Sequence, residues 1–186
     1  TRAALAALGV RDALYEAITA GERDYTALVS RLKAEDIDVV YFGGYHTEAG
    51  LITRQMRQAG VAAQMVSGDA MVTREYWAIT GPAGEGALMT FNPDPRLIPD
   101  AGPVVERFRG SGFEPEGYTI YTYVAVELFA QAAARAGTFD ADAVAAALRS
   151  HRFATAMGPM AFDAKGDVKG ESYIVYRWHD GTYRPL

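Results

Sequence analysis

With 186 residues, 49% of them hydrophobic and 22% charged, the chain has enough apolar material for one sizeable core or two small ones, and too much for intrinsic disorder. A formal net charge of −5, with Lys and Arg scattered along the sequence, offers no basic face to a polyanion, so nucleic acid is not an expected partner. The absence of cysteine removes disulfide frameworks, thiolate metal sites and cysteine nucleophiles.

No apolar run approaches the ~20 residues of a spanning helix, and the first residues lack the basic segment, apolar core and cleavage site of a signal peptide. The opening "TRAALAALG" starts within a helical pattern, without methionine or a helix cap, so the expectation is a soluble fragment of a longer protein. Thr1 to Leu8 reads as a helix stopped by Gly9. "ALYEAI", Ala13 to Ile18, reads as a short strand. From Glu22 to Glu35, Tyr25, Leu28, Val29 and Leu32 recur at helical spacing and mark an amphipathic helix. "IDVVYF", Ile37 to Phe42, is a nearly continuous apolar run, the pattern of a strand covered on both faces. Gly43 and Gly44 end it.

A second helix is expected from Thr47, a plausible N-cap, to just before Gly60, with Leu51, Ile52 and Met56 on one face. "AAQMVS", Ala62 to Ser67, is the next strand. A short helix from Thr73 to Ile79 and a strand "GALMTF", Gly86 to Phe91, follow. Strands alternating with helices predict an α/β layer with a parallel sheet. In "NPDPRLIPDAGP", Asn92 to Pro103, four prolines in twelve residues mark a linker or crossover. Helices are expected over Val104–Arg109, Tyr118–Ala136 and Asp140–Arg149, the last capped by Asp140 or Asp142. The tail reads as β, with Asp180-Gly181 as a two-residue hairpin turn between aromatic strands.

In a parallel α/β sheet the ligand crevice lies beyond the carboxyl ends of the strands, which places the loops "GGYHTE" and "SGDA" on the functional rim. Tyr45 and Asp69 stand one strand-helix-strand unit apart. An aromatic face beside a carboxylate suits a primary ammonium; alternatively the Tyr45 hydroxyl could bond a carboxylate, or Tyr45 could pack under the rim while Asp69 caps a turn. Tyr118, Tyr121 and Tyr123 gather at the start of the long helix, where Tyr118 could face a cleft or all three could pack.

Other constellations carry less. His46 and Glu48 do not share a helix face and have no second histidine nearby, so neither a metal site nor an acid–base pair is expected. His179 reads as a solvated residue beside a turn. "GSGFEPEG" lacks the preceding strand of a phosphate loop and holds two glutamates, and "DAKGDVKG" lacks calcium-loop spacing. Ser30, Ser67, Ser111, Ser150 and Ser172 occupy no nucleophile elbow. None of these patterns supplies zinc spacing, a phosphate-binding loop or a hydrolytic nucleophile.

"AITAGERDYTALVSRLKAEDIDVVYFGGYHTEAGLITRQMRQAG", then "SGDA", "EGALMTF" and "GPMAFDAKGDVKG" before "VYRWHDG" resemble the branched-chain amino-acid (Leu/Ile/Val) periplasmic binding proteins of ABC transporters. The resemblance follows the whole chain in order and covers the C-terminal part of such a receptor. It implies a type I periplasmic binding protein fold, in which two α/β lobes joined by crossovers close over a ligand. It further implies that residues 1–91 belong to the second lobe, 92–103 form a proline-rich crossover, 104–155 return to the first lobe, and 156–186 contain a crossover and the terminal β-hairpin. The family's tyrosine after the paired glycines matches Tyr45, its ammonium-binding acid matches Asp69, where glutamate is commoner, and its pocket aromatic matches Tyr118. The implied ligand-binding set is Tyr45, Asp69 and Tyr118, with Gly44 and Ala70 beside them on the same loops. The implied role is extracytoplasmic capture of a branched-chain or related amino acid by a periplasmic receptor, monomeric when intact, that delivers it to a membrane permease. A cytoplasmic amide-sensing regulator and an aromatic-acid receptor share the fold and are the rival expectations.

Overall fold

The computed structural model describes residues 1–170 and 173–186; Glu171 and Ser172, and with Ser172 one of the serines considered above, lie outside the described residues. The chain packs as two compact units, Thr1–Phe91 with Val175–Leu186, and Asn92–Ile174. Among the described residues no helix is long and apolar enough to cross a membrane.

The first unit carries α1 (Arg2–Ala7), α2 (Thr26–Ala34), β1 (Val39–Phe42), α3 (His46–Gln58), β2 (Gln64–Ser67), α4 (Arg74–Thr80), β3 (Leu88–Phe91) and the terminal strands β6 (Ile174–His179) and β7 (Thr182–Pro185). Its five strands run in the order β1-β2-β3-β6-β7, with β1, β2 and β3 parallel and β6 and β7 antiparallel. The parallel α/β layer expected from the alternating pattern is therefore present. In β2 and β3 every second residue is buried, and Met65, Met89 and Phe91 on these strands, like Ile52, Met56, Met71, Tyr76 and Trp178, are at most 1% exposed. The Trp178 indole donates to the Met71 carbonyl at 3.1 Å and its ring lies 5.5 Å from that of Tyr76, so a large aromatic is buried with its polar group satisfied. Asp180 and Gly181 both have positive φ, 48° and 78°, as a type I′ hairpin turn requires.

Three expectations change in this unit. Ala13–Ile18 forms no strand; it is irregular and mostly exposed, without a ladder partner. The segment is held instead by side chains, with Arg31 bonded to Glu16 and Arg2 over the Tyr15 ring at 4.7 Å. Apolar content alone does not make a strand where no sheet edge pairs with it. β1 is not covered on both faces: it is an end strand of the sheet, and Val39 and Tyr41 are 57% and 54% exposed. α3 begins one residue after Tyr45, which occupies the N-cap position in place of Thr47. The Glu48 side chain in the first turn is buried and accepts from the Gly21 amide at 2.9 Å, which ties the helix start to the preceding loop.

The second unit holds α5 (Gly102–Gly110), α6 (Thr119–Ala136), α7 (Ala141–Ser150) and a hairpin of β4 (Arg152–Thr155) and β5 (Gly158–Ala161). Ile120, Val124, Leu128 and Ala132 form a buried i, i+4 row on α6 that meets Val105, Val144, Ala147 and Phe153. Asp140 is the cap of α7, accepting from the Ala143 amide at 3.0 Å, the first of the two acids considered. The proline-rich segment forms two single 3₁₀ turns, Pro95–Leu97 and Pro99–Ala101, because fixed proline φ suits a turn and forbids a helix interior.

Candidate functional site

β1 and β2 pair in parallel with Phe42 opposite Ser67, so both strands end at the same level and the two loops that follow leave the same edge of the sheet. After Phe42 the chain passes Gly43 and Gly44 to Tyr45, which is 73% exposed at the start of α3. After Ser67 it passes Gly68 to Asp69 and Ala70, both partly exposed in a single 3₁₀ turn, Asp69–Met71. Topology and register thus give Tyr45 and Asp69 a common rim.

The glycine at 44 has a local cause. A Cβ built there would lie 2.5 Å from Cζ and 2.7 Å from Cε1 of the Phe42 ring, so the ring folds back under the loop and occupies the side-chain position. Gly44 therefore serves the packing of Phe42. Gly43 and Gly68 differ, since neither has positive φ and a Cβ at either would meet nothing within 4 Å. Beneath the rim, Ser67 is 1% exposed and its hydroxyl has no hydrogen-bond partner among the described residues.

Tyr118 belongs to the second unit. It holds the N-cap position of α6, is 44% exposed, and lies edge-on to Tyr121 with ring centroids 6.2 Å apart. Beside it runs an open groove of about 830 Å³ that also touches Phe108, Tyr123 and Val126. Tyr121 has a structural task, donating its hydroxyl to the Pro93 carbonyl at 2.7 Å, and Tyr123 packs edge-on against Phe108 at 6.4 Å. Of the three tyrosines, Tyr118 is exposed and the other two are partly buried.

The discounted groups take up structural tasks. His46 Nε2 meets Glu75 at 2.7 Å, and His179, though exposed, meets Glu85 at 2.6 Å. Glu85 also accepts the Asp180 amide at 3.0 Å; that bond, with the His179 bond second, holds its carboxyl below the usual range. In the 163–170 loop the Asp163 carboxylate accepts the amides of Lys165, Gly166 and Asp167, chiefly the last, and its pKa is lowered accordingly. Glu114 of "GSGFEPEG" is gripped by Arg109 at 2.9 Å and reached by Arg96 at 3.4 Å. Among the described residues no group of three His, Asp or Glu side chains could hold a metal ion.

Residues 1–182 match the family model described as periplasmic binding protein. The chain belongs to that family. It is 48% identical over 183 residues to a Leu/Ile/Val-binding protein homolog of Brucella suis, covering 98% of this chain and 49% of the relative. It is 49% identical over 189 residues to an amino acid binding protein of Pseudomonas aeruginosa, covering 100% of this chain and 50% of that one. Among solved structures, a leucine-binding protein from Thermotoga maritima superposes with a TM-score of 0.79 at 30% identity, covering 91% of this chain and 49% of that protein. A benzoate-bound solute-binding protein from Rhodopseudomonas palustris reaches a TM-score of 0.80 at 17% identity, covering 100% of this chain and 52% of that one, a likeness of fold alone. The fold is that of the type I periplasmic binding proteins. The chain spans about half the length of the curated relatives it matches.

Proposed function

We propose that this chain is part of the solute-binding component of an ABC importer, which captures a branched-chain or related amino acid in the periplasm, as a monomer, and presents it to a membrane permease without catalysing a reaction. The observation that supports this best is the 48% identity to a Leu/Ile/Val-binding protein homolog along 98% of the chain. In this reading residues 1–91 form the second-lobe portion, 92–103 the crossover, 104–155 the part returning to the first lobe, and 156–186 the crossover back with the terminal hairpin.

Asp69 compensates the ligand's α-ammonium. An ammonium removed from water needs an opposite charge and hydrogen-bond acceptors, and a carboxylate on the rim supplies both. Tyr45, exposed at the start of α3, offers its ring face to the same ammonium or its hydroxyl to the ligand's polar end. Gly44 and Ala70 provide backbone beside these two groups, and Tyr118 contributes an aromatic surface for the ligand's side chain.

The test is titration calorimetry of the full-length protein against L-leucine, L-isoleucine and L-valine, with amides and benzoate as controls. Binding of the amino acids is expected, and Asp69→Ala is expected to weaken it by about 2–5 kcal/mol, the cost of leaving a buried charge unpaired. Binding confined to ligands without an α-ammonium would refute the Asp69 role and favour an amide sensor or aromatic-acid receptor.

A further inference from the structure

We infer that Gly43 and Gly68 form a bare shelf at the carboxyl ends of β1 and β2 that sets how deeply the ligand sits, and that the short side chain of Asp69 is matched to that depth. The inference rests on the assignment of Asp69 to the ligand's ammonium.

Phe42 and Ser67 are paired in register and both buried. Side chains alternate faces along a strand, so a substituent at the next position of either strand would project to the opposite face. Those next positions are Gly43 and Gly68, the first residues beyond the paired strand ends. Neither glycine is explained by backbone conformation: Gly68 has φ −75° and ψ −155°, and neither residue has positive φ. Neither is explained by protein packing, because a Cβ at each would meet nothing within 4 Å. Gly44 lies one residue away and is fully accounted for by the Phe42 ring. Two rim glycines that neither a positive φ nor packing requires, each directly after a paired strand end, leave room for something that approaches the strand ends closely.

Asp69 follows Gly68 directly and opens the 3₁₀ turn. An aspartate carboxylate extends one carbon beyond Cβ, so an ammonium that reaches it must come close to the main chain. A methyl group at 43 or 68 would lift the ligand by roughly the thickness of one methylene and stretch the charged hydrogen bond, and one misplaced methylene in a pocket shifts binding by roughly 10–200-fold. Glutamate at 69 overshoots a ligand seated on the bare shelf but reaches one held higher.

The experiment is calorimetric titration of L-leucine into the full-length protein and its Gly43→Ala, Gly68→Ala, Asp69→Glu, Gly68→Ala/Asp69→Glu and Asp69→Ala variants. Thermal melts without ligand run in parallel. The glycine variants should melt with the parent, since the added methyl touches nothing in the protein. Each should nevertheless bind L-leucine about ten-fold or more weakly. Asp69→Glu alone should also weaken binding, and in the Gly68→Ala background it should restore part of the loss. If Asp69→Ala loses binding while both glycine variants stay within about two-fold of the parent, the shelf is refuted and the Asp69 assignment survives. Losses that simply add in the double variant refute the matching of Asp69 to the shelf. Unchanged binding by Asp69→Ala overturns the Asp69 assignment, and the shelf with it.

Discussion

The loops after β1 and β2 start at the same level of one sheet edge, and each begins with glycine, yet the glycines answer to different constraints. In the first loop the Phe42 ring fills the space where a Gly44 side chain would lie, 2.5 Å from the would-be Cβ. In the second, Gly68 faces open space at ordinary φ. One glycine is therefore required by the fold, and the other is available to function. A glycine on a functional rim is informative only after its neighbours are known, because the same residue type serves packing in one loop and access in the next.

Substitutions can break this contrast, and the largest effect should come from the ring itself. Phe42 is 8% exposed, and Phe42→Ala should cost roughly 3–5 kcal/mol of stability through lost burial and the cavity left behind. Gly44→Ala should cost about 1–3 kcal/mol, because the methyl forces a well-packed ring off its position. The decisive measurement is the double-mutant cycle by chemical denaturation. With the ring gone, Gly44→Ala should be nearly neutral, giving a coupling of about 1–3 kcal/mol between the two positions. A cost for Gly44→Ala that persists in the Phe42→Ala background would mean that the loop backbone, and not the ring, demands glycine.

The same contrast explains what the sequence could and could not reveal. Alternation of apolar strands and helical faces was enough to place β2, β3, α3 and α6, and the Asp180-Gly181 pair was enough to place the hairpin, because these signals are local. The Ala13–Ile18 strand failed for a nonlocal reason, since β-structure needs a partner edge and none reaches that segment. Coverage of β1 on both faces failed likewise: the apolar run is present, but strand order leaves Val39 and Tyr41 at the end of the sheet. For the candidate site, the carboxyl-end rule points to the loops of Tyr45 and Asp69, and the strand register shows that both loops leave one edge of the sheet. What stayed illegible was the division of labour within those loops. Nothing in "FGGYHTE" states that Phe42 folds back onto Gly44, or that Glu48 is buried to hold the Gly21 amide; both depend on contacts made in three dimensions.

Two buried hydroxyls sharpen the distinction between residues the fold uses and residues it merely accommodates. Thr53 is 0% exposed, donates to the Ala49 carbonyl at 2.7 Å and accepts from the Tyr76 hydroxyl at 3.3 Å. Thr53→Val keeps the shape but strands a buried phenol, whose pKa is already raised mainly by its burial, and should lose about 1–2 kcal/mol. Ser67 is equally buried at the base of the Asp69 loop, and its hydroxyl has no partner among the described residues. Removing a desolvated, unsatisfied group lifts a penalty, so Ser67→Ala should gain about 0.5–1 kcal/mol and raise Tm by about 1–4 °C. Opposite signs in the two melts would show that burial alone does not decide the worth of a hydroxyl, and that the fold draws on Thr53 while it only tolerates Ser67. A loss of stability in Ser67→Ala would mean that its hydroxyl is satisfied in solution and belongs with Thr53 among the groups that hold the first unit together.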